Sequence, residues 1–247
     1  MDESLDRARA LLLGAKRIAV LTGAGISAES GIPTFRGATI GGDHTAGLWS
    51  HFRPEDLATP EAFAANPKTV WEWYAWRREL VAKVAPNAGH AALVALEKRT
   101  PHCTLITQNV DGLHARAGSR NVIELHGNLM VDRCFAEGRI LAPADELPGT
   151  PPRCAQCGAP VRPGVVWFGE ALPQKALDAA FGAAQRCDVF LSVGTSTVVE
   201  PAASLPFAAL DAGAAVIEVN PARTPLSARV TIALAGAAGD VLPRLVG

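Results

Sequence analysis

Five apolar runs recur along the chain, with helical patterns around them. The runs are apolar throughout rather than alternating, which is typical of strands that are covered on both faces. They cover 17–25, 103–109, 187–196, 214–221 and 229–236. The helical patterns cover 4–15, 88–98, 172–185, 201–211 and 238–246. This alternation predicts an α/β fold with a parallel sheet and helices on both faces.

Two segments interrupt the alternation. Residues 38–84 begin with a glycine-rich loop and continue as helical sequence, whereas residues 131–162 are rich in Pro, Gly and Cys. We expect them to form a smaller domain over the crevice at the carboxyl ends of the strands, where open parallel sheets bind ligands. The main domain would then comprise residues 1–37, 85–130 and 163–247.

Composition and charge disfavour some classes of binding partner. With 23 basic and 24 acidic residues, the chain has no net field to attract nucleic acid or an anionic membrane. No apolar run approaches the roughly 18–20 residues of a membrane span, and the N-terminus resembles an amphipathic helix rather than a signal peptide. Five cysteines favour a reduced cytoplasm over a disulfide framework. The oligomeric state is not indicated.

A glycine-rich turn follows the first predicted strand. Gly23, Gly25 and Ala28 form the pattern G-x-G-x-x-A. Such glycines let the backbone approach a pyrophosphate at a helix N-terminus, although the pattern also occurs for packing reasons. A dehydrogenase usually has an acidic residue at the end of a second strand about 20 residues later, whereas here that region, GIPTFRGATIGGDH, is predicted to be a loop. The turn therefore predicts a dinucleotide site that differs from that of an ordinary dehydrogenase.

Seven motifs occur in one order from residue 23 onward. They are GAGISAESGIPTFRG (23–37), TQNVDGLHARAG (107–118), ELHG (124–127), CAQCG (154–158), RPGVVWFGE (162–170), VGTSTVVEP (193–201) and EVNP (218–221). In order and spacing the chain resembles the sirtuins, the NAD-dependent protein-lysine deacylases. The resemblance implies a Rossmann-like domain with a smaller inserted helical and zinc-ribbon-like domain. It also implies NAD as co-substrate and acylated-lysine proteins as substrates.

The resemblance further implies which residues bind the cofactor. Backbone and small side chains would hold the pyrophosphate and adenosine, and a flexible loop would cover the nicotinamide ribose. Around the nicotinamide carboxamide the family often has isoleucine where this chain has Val110. The implied set is Gly23, Ala24, Gly25, Ser27, Phe35, Arg36, Gln108, Asn109, Val110, Asp111, Gly194, Thr195, Ser196 and Asn220.

The implied catalytic residues are His126, Asn109 and Asp111. In the sirtuin reaction the acyl oxygen attacks C1′ of the nicotinamide ribose, and an imidazole then deprotonates a ribose hydroxyl. The products are lysine, nicotinamide and O-acyl-ADP-ribose. His126 suits the imidazole role, because its ordinary pKa lies near neutrality. For the other five histidines the sequence indicates packing or solvent exposure.

Two extended stretches, GVVWFG and TVVEP, are predicted to hold the substrate peptide by strand addition. The alternative is that both are ordinary buried sheet edges. The residues predicted to contact the peptide are Val166, Phe168, Gly169, Val198 and Val199.

Tyr74, the only tyrosine, precedes Arg77 by one turn of the helical sequence VWEWYAWRREL (70–80). The two side chains would share a face, so both can reach one ligand. Among sirtuins, class III carries Tyr-x-x-Arg over the acyl pocket and removes succinyl and malonyl groups. The resemblance thus implies that these acyl groups are preferred, with acetyl also possible. From the residues alone, tryptophans stacked on Arg77 or Arg78 give an ordinary helix surface.

The cysteine spacing departs from the family, whose members usually bind one structural zinc with two Cys-x-x-Cys pairs. Cys154 and Cys157 form one pair, but the other has only Cys134, with Glu137 in the fourth position. A carboxylate can bind zinc, yet structural sites prefer sulfur and nitrogen. A weakened zinc site and a metal-free remnant both stay open.

Two other enzyme classes use NAD in related ways. An oxidoreductase on a similar fold would need an acidic ribose contact that the sequence lacks. A protein ADP-ribosyltransferase would use the same NAD cleavage with a different nucleophile. A non-catalytic binding module is disfavoured by His126, Asn109 and Asp111.

Overall fold

The computed structural model describes residues 2–32 and 54–247. The predicted cofactor residues Phe35 and Arg36 lie outside this part of the chain. Within it, no helix has the length and apolar character that crossing a membrane requires.

The helices, in chain order, are α1 (Asp2–Gly14), α2 (Ala24–Ala28), α3 (Pro54–Leu57), α4 (Pro60–Ala65), α5 (Pro67–Lys83), α6 (Ala88–Arg99), α7 (Leu113–Ala117), α8 (Gln174–Arg186), α9 (Leu205–Asp211) and α10 (Ala238–Val246). The strands are β1 (Arg17–Thr22), β2 (His102–Thr107), β3 (Val122–Glu124), β4 (Gly127–Cys134), β5 (Ile140–Leu141), β6 (Glu146–Leu147), β7 (Arg153–Cys154), β8 (Val161–Val165), β9 (Val189–Val193), β10 (Ala215–Asn220) and β11 (Ile232–Ala235).

Six strands form a parallel sheet in the order β11-β10-β9-β1-β2-β3. The predicted parallel α/β sheet is therefore confirmed. The sequence did not indicate β3, because a strand of three residues is too short to show as an apolar run. The strand order changes direction between β1 and β9, so the ligand crevice of such a sheet lies at their carboxyl ends.

Both faces of the sheet are covered, as predicted. Successive residues of β1 enter different hydrophobic clusters, because side chains alternate across a strand. Ile18 and Val20 pack in the cluster that contains residues of α1, α6 and α10. Ala19 and Leu21 pack in the cluster that contains residues of α8 and α9. Burial on both faces explains why the strand sequences are apolar throughout.

A second region combines α4 and α5 with an antiparallel sheet in the order β5-β4-β8. Phe63, Trp73 and Tyr74 share one buried cluster with Val165 and Trp167. The ion pair of Arg78 with Asp132 at 2.6 Å joins the segment 38–84 to the segment 131–162. However, β4 and β8 cross the predicted boundaries at 130/131 and 162/163, so the division into two domains stays a prediction.

Candidate active site

The turn after β1 lies against the turn after β9. The N–H of Gly25 donates to the carbonyl of Gly194 at 2.8 Å, and the N–H of Gly23 donates to that of Val193 at 3.1 Å. A Cβ at position 25 would lie 2.7 Å from the Gly194 Cα, and one at position 23 would lie 2.8 Å from the Gly194 oxygen. The glycines are therefore required by backbone packing at the switch point. Close packing does not exclude a second reason for glycine at these positions, which is access of the cofactor to the backbone.

Three buried polar side chains join the end of β2 to this turn. Asn109 Nδ2 donates to the Gly23 carbonyl and to Ser27 Oγ, both at 3.1 Å. Ser27 Oγ donates to Asp111 Oδ2 at 2.7 Å. Asp111 Oδ1 also accepts the N–H of Leu113 at 2.9 Å, which holds its carboxylate in place. The structure thus brings the predicted residues Ser27, Asn109 and Asp111 into one network.

The predicted adenosine side is assembled from neighbouring strands. Gln108 Nε2 donates to Thr195 Oγ1 at 2.8 Å, which links the ends of β2 and β9. The N–H of Gly194 donates to the carbonyl of Val219 at 2.9 Å, so Asn220 at the end of β10 lies next to this turn. These contacts agree with the crevice that the strand ends predicted, although binding of the cofactor by these residues stays a prediction.

His126 lies between β3 and β4 and is half-buried. Its Nδ1 lies 2.9 Å from the carbonyl oxygen of Gln108, and a carbonyl only accepts. Nδ1 therefore carries the proton, and Nε2 is the basic nitrogen. Burial lowers the pKa of His126, and the hydrogen bond to Gln108 partly opposes this shift. At neutral pH the ring is thus held in the form that accepts a proton.

The predicted peptide residues lie partly at the surface. Phe168, Val198 and Val199 are among the exposed large apolar side chains, with Phe168 47% exposed. The N–H of Val166 donates to the carbonyl of His126 at 2.8 Å, which places this stretch beside the histidine. Exposure of apolar side chains beside the site is what peptide docking requires and what a buried sheet edge would not show. Their role stays a prediction.

Helix α5 carries Tyr74 and Arg77 and begins at Pro67, after Asn66 caps it by accepting the N–H of Thr69. The guanidinium carbon of Arg77 lies 4.8 Å from the Trp73 ring centroid and 5.7 Å from that of Tyr74. The predicted pair therefore forms one cluster on the helix.

Burial and neighbouring charges shift the pKa of both side chains. Burial raises the pKa of Tyr74 to about 12, against the attraction of Arg77 for the phenolate. Burial also lowers the pKa of Arg77, whereas attraction to Tyr74 and Asp111 raises it. Asp111 belongs to the network that binds the glycine turn.

Arg78 has a different environment from Arg77. It donates to Asp132 Oδ1 at 2.6 Å and to the Leu129 carbonyl at 2.7 Å, and it stacks on Trp71. The sequence left open whether the tryptophans stack on Arg77 or on Arg78. In the structure both arginines are stacked, but Arg78 is bound to β4.

The ligand atoms of Cys134, Glu137, Cys154 and Cys157 all lie within 4.8 Å of one another. Two similar turns present them. The N–H of Gly138 donates to the Cys134 carbonyl at 2.9 Å, and that of Gly158 donates to the Cys154 carbonyl at 2.8 Å. Glu137 therefore occupies in its turn the place that Cys157 occupies in the other. Three thiolates and a carboxylate fit a tetrahedral structural zinc ion.

A glycine turn at the switch point of a parallel sheet, together with an oriented imidazole, defines a class of dinucleotide-dependent α/β enzyme. The Sir2 family model matches residues 23–201. An NAD-dependent protein deacylase of Aquifex aeolicus is 57% identical over 211 residues, which cover 85% of each chain. The NAD-dependent protein deacylase 1 of Pseudomonas aeruginosa is 52% identical over 246 residues, covering 96% of this chain and 95% of that one. The chain belongs to the Sir2 family.

Solved structures agree with this assignment. A Sir2 homolog in complex with NAD has a TM-score of 0.88 and 49% identity, covering 98% of this chain and 92% of that one. A Sir2 protein bound to a myristoylated histone peptide has a TM-score of 0.77 and 36% identity, covering 100% and 96%. The predicted enzyme class, an NAD-dependent protein deacylase, and its co-substrate NAD are confirmed.

Sequence reasoning missed Trp167. Its indole Nε1 donates to the Tyr74 hydroxyl at 2.9 Å. The alternation along a strand was the available signal, because Val166 and Phe168 facing outward place Val165 and Trp167 inward. The packing interpretation of the other histidines is correct for His90 and His114, whose buried rings lie 4.9 Å apart.

Proposed function

We propose that this enzyme removes acyl groups from protein lysines with NAD as co-substrate and prefers succinyl and malonyl groups over acetyl. The observation that carries the preference is the cluster of Tyr74 and Arg77 on α5. Asp111, which is hydrogen-bonded to Ser27, is among the charges that raise the pKa of Arg77.

When bound, NAD supplies an activated ribose carbon and takes over the acyl group. Ser27, Asn109 and Asp111 would position the nicotinamide end, because their polar atoms already bind one another in fixed directions. His126 would accept a proton at Nε2, since Nδ1 is committed to the Gln108 carbonyl.

Acyl selectivity would come from charge and hydrogen bonding. A guanidinium can bind a carboxylate with two parallel N–H groups, and a phenol adds a third donor. Tyr74 remains a neutral donor at physiological pH, because its pKa is raised to about 12. Hydrogen bonds to charged groups contribute about 1.5–3 kcal/mol, so each corresponds to roughly 10- to 150-fold in kcat/KM. An acetyl group would offer these donors no carboxylate.

The substrate would be a peptide segment of a protein, bound along 166–169 and 198–199. Support comes from the exposed apolar side chains of Phe168, Val198 and Val199, and from the hydrogen bond that joins Val166 to the His126 carbonyl. Main-chain pairing of this kind depends little on sequence, so many proteins can serve as substrates. A cytoplasmic location fits such substrates and stays a prediction.

The test is a set of matched peptides that carry succinyl-, malonyl-, acetyl- or myristoyl-lysine, assayed for kcat/KM with and without NAD. Tyr74→Phe, Arg77→Met and the double variant should lose at least about tenfold of the succinyl-to-acetyl ratio. Lys83→Met removes a positive charge from an exposed position of the same helix and should leave the ratio unchanged. If the double variant keeps the succinyl preference, the proposed role of the pair is wrong.

The same assay separates the alternative enzyme classes. A deacylase releases nicotinamide and forms a small O-acyl ester. An oxidoreductase would change the absorbance of NADH, and an ADP-ribosyltransferase would leave ADP-ribose from labelled NAD on protein.

A further inference from the structure

The hydroxyl group of Tyr74 has a defined polarity. Trp167 Nε1 lies 2.9 Å from the phenol oxygen. An indole nitrogen only donates, so the phenol oxygen must accept this hydrogen bond. The single proton of the phenol then points away from Trp167. Tyr74 is therefore prepared to donate to a further group, and an acceptor such as a carboxylate suits it better than a donor.

Trp167 is itself held by an ion pair. Arg162 is buried and binds Glu170 with both terminal nitrogens, Nη2 to Oε2 at 3.0 Å. The same carboxylate accepts the backbone N–H of Trp167 at 2.8 Å. The guanidinium carbon of Arg162 lies 3.3 Å from the Trp167 ring centroid. The indole is thus fixed both at its backbone and on a face of its ring.

The ion pair with Glu170 also reduces the electrostatic effect of the buried Arg162 near the proposed acyl site. Arg162 and Glu170 both act on the Tyr74 hydroxyl, but with opposite sign. Glu170, which is ion-paired with Arg162, opposes the effect of its charge. Arg162 is therefore paired with Glu170 and mainly orients the indole.

We propose that Trp167, oriented by Arg162 and Glu170, is a positioning residue for acyl selectivity that makes Tyr74 a hydrogen-bond donor toward the carboxylate of the acyl group. This inference rests on the proposed function. Trp167 acts through Tyr74 and does not itself contact the substrate carboxylate. Without the indole N–H, nothing on the side of residue 167 directs the phenol proton away from it, so the hydrogen bond of Tyr74 to the ligand is less well oriented.

A double-mutant cycle tests the coupling between Trp167 and Tyr74. Trp167→Phe keeps an aromatic ring but removes the indole N–H. It should lower the succinyl-to-acetyl ratio of kcat/KM by about 2- to 12-fold, the range that one neutral hydrogen bond gives. In the Tyr74→Phe background it should have no further effect on the ratio. A general loss of activity would lower kcat/KM for the acetyl peptide as well, so it would leave the succinyl-to-acetyl ratio unchanged.

Trp73→Phe is the matched control. Trp73 packs against the Tyr74 ring edge-on, with centroids 4.7 Å apart, whereas Trp167 is the tryptophan that binds the hydroxyl. Replacing Trp73 thus removes similar core volume beside the same tyrosine without changing the polarity of its hydroxyl. We expect a smaller change in the selectivity ratio than for Trp167→Phe.

A spectroscopic readout is available because the chain has one tyrosine. The Raman doublet of tyrosine responds to whether its hydroxyl, which can both accept and donate, accepts or donates hydrogen bonds. The wild type should show an accepting phenol that becomes both acceptor and donor when a succinyl-lysine peptide binds. Trp167→Phe should lose the accepting signature, whereas Trp73→Phe should keep it.

The outcomes separate the two proposals. A selectivity ratio that falls in Tyr74→Phe but is unchanged in Trp167→Phe overturns the role of Trp167 alone. The role of Trp167 is also overturned if Trp167→Phe lowers the ratio equally with Tyr74 and with Phe at position 74. The same conclusion follows if the Raman doublet does not change in Trp167→Phe. A wild type without succinyl preference overturns the proposed function and this inference together.

Discussion

The predicted cofactor side and the proposed acyl side of this enzyme are built in different ways. On the cofactor side, Gly23, Gly25 and Gly194 bring backbone segments together at the switch point of a parallel sheet. On the acyl side, a helix and an antiparallel sheet meet through large side chains, among them Tyr74 and Trp167. Backbone contacts tolerate little change, whereas a contact between side chains can be retuned by one substitution. The difference suggests that chemistry is kept on one side while acyl preference is adjusted on the other.

The largest effect is expected from replacing His126, which tests its proposed role as the general base between the cofactor side and the acyl side. His126→Ala should lower deacylation of a succinyl-lysine peptide by about 10²- to 10⁴-fold, the usual contribution of a general base. NAD affinity, measured by calorimetry, should change little, because the residues of the glycine turn remain. His102→Ala, at an exposed position at the start of β2, is the control. An unchanged turnover in His126→Ala would remove the histidine from the mechanism.

The pH dependence of stability tests the core beneath the cofactor side. Burial, with a smaller contribution from His90, lowers the pKa of His114 to about 3. Between that value and the ordinary 6.5 the unfolded chain binds a proton that the folded chain excludes, so stability is lost as the pH falls. The free energy of unfolding that His114 can remove in this way is at most about 5 kcal/mol. Urea unfolding between pH 4 and 7 should show this slope, and His114→Gln should flatten it while His102→Gln should not.

The pH dependence of activity follows from His126 in the same direction. Burial lowers its pKa, so the basic form persists below the ordinary imidazole value of 6.5. The acid limb of the kcat/KM profile should therefore lie below that pH. An acid limb above pH 7 would show that another group controls proton transfer.

A glycine substitution tests how tightly the cofactor side is packed. Gly25→Ala places a Cβ 2.7 Å from the Gly194 Cα and should cost about 1–3 kcal/mol of the free energy of unfolding. It should also weaken NAD binding. Gly14→Ala is the matched control, because a Cβ there has nothing within 4 Å. If both variants have the same melting temperature and NAD affinity, the close approach of the two turns is not required.

The smallest effect concerns the four-residue metal cluster. Glu137→Cys should bind zinc more tightly than the wild type, because structural sites prefer thiolate. Cys154→Ser should lower the zinc content and reduce Tm by about 2–4 °C for each 1 kcal/mol lost. Zinc stoichiometry and competition with a chelator measure both effects. Wild-type protein that contains no zinc and is unaffected by added zinc would identify the cluster as a metal-free remnant.

Much of the cofactor side was predictable because its information is local. Continuous apolar runs give buried parallel strands, and the glycine turn and the strand ends follow each run directly. The exception is β3, which takes its place in the sheet by pairing with β2 rather than through its own apolar pattern. Its three residues cannot carry a periodic signal.

The sequence by itself determined the parallel sheet, the family motifs and the placement of Tyr74 and Arg77 one turn apart. Only the tertiary structure decided the polarity of Tyr74, because its partner Trp167 lies 93 residues away. It also decided the tautomer of His126, through the Gln108 carbonyl, and the place of Glu137 among three thiols. The physical reason is that periodicity and motifs record neighbours along the chain. Hydrogen-bond direction and burial depend on groups that only folding brings together.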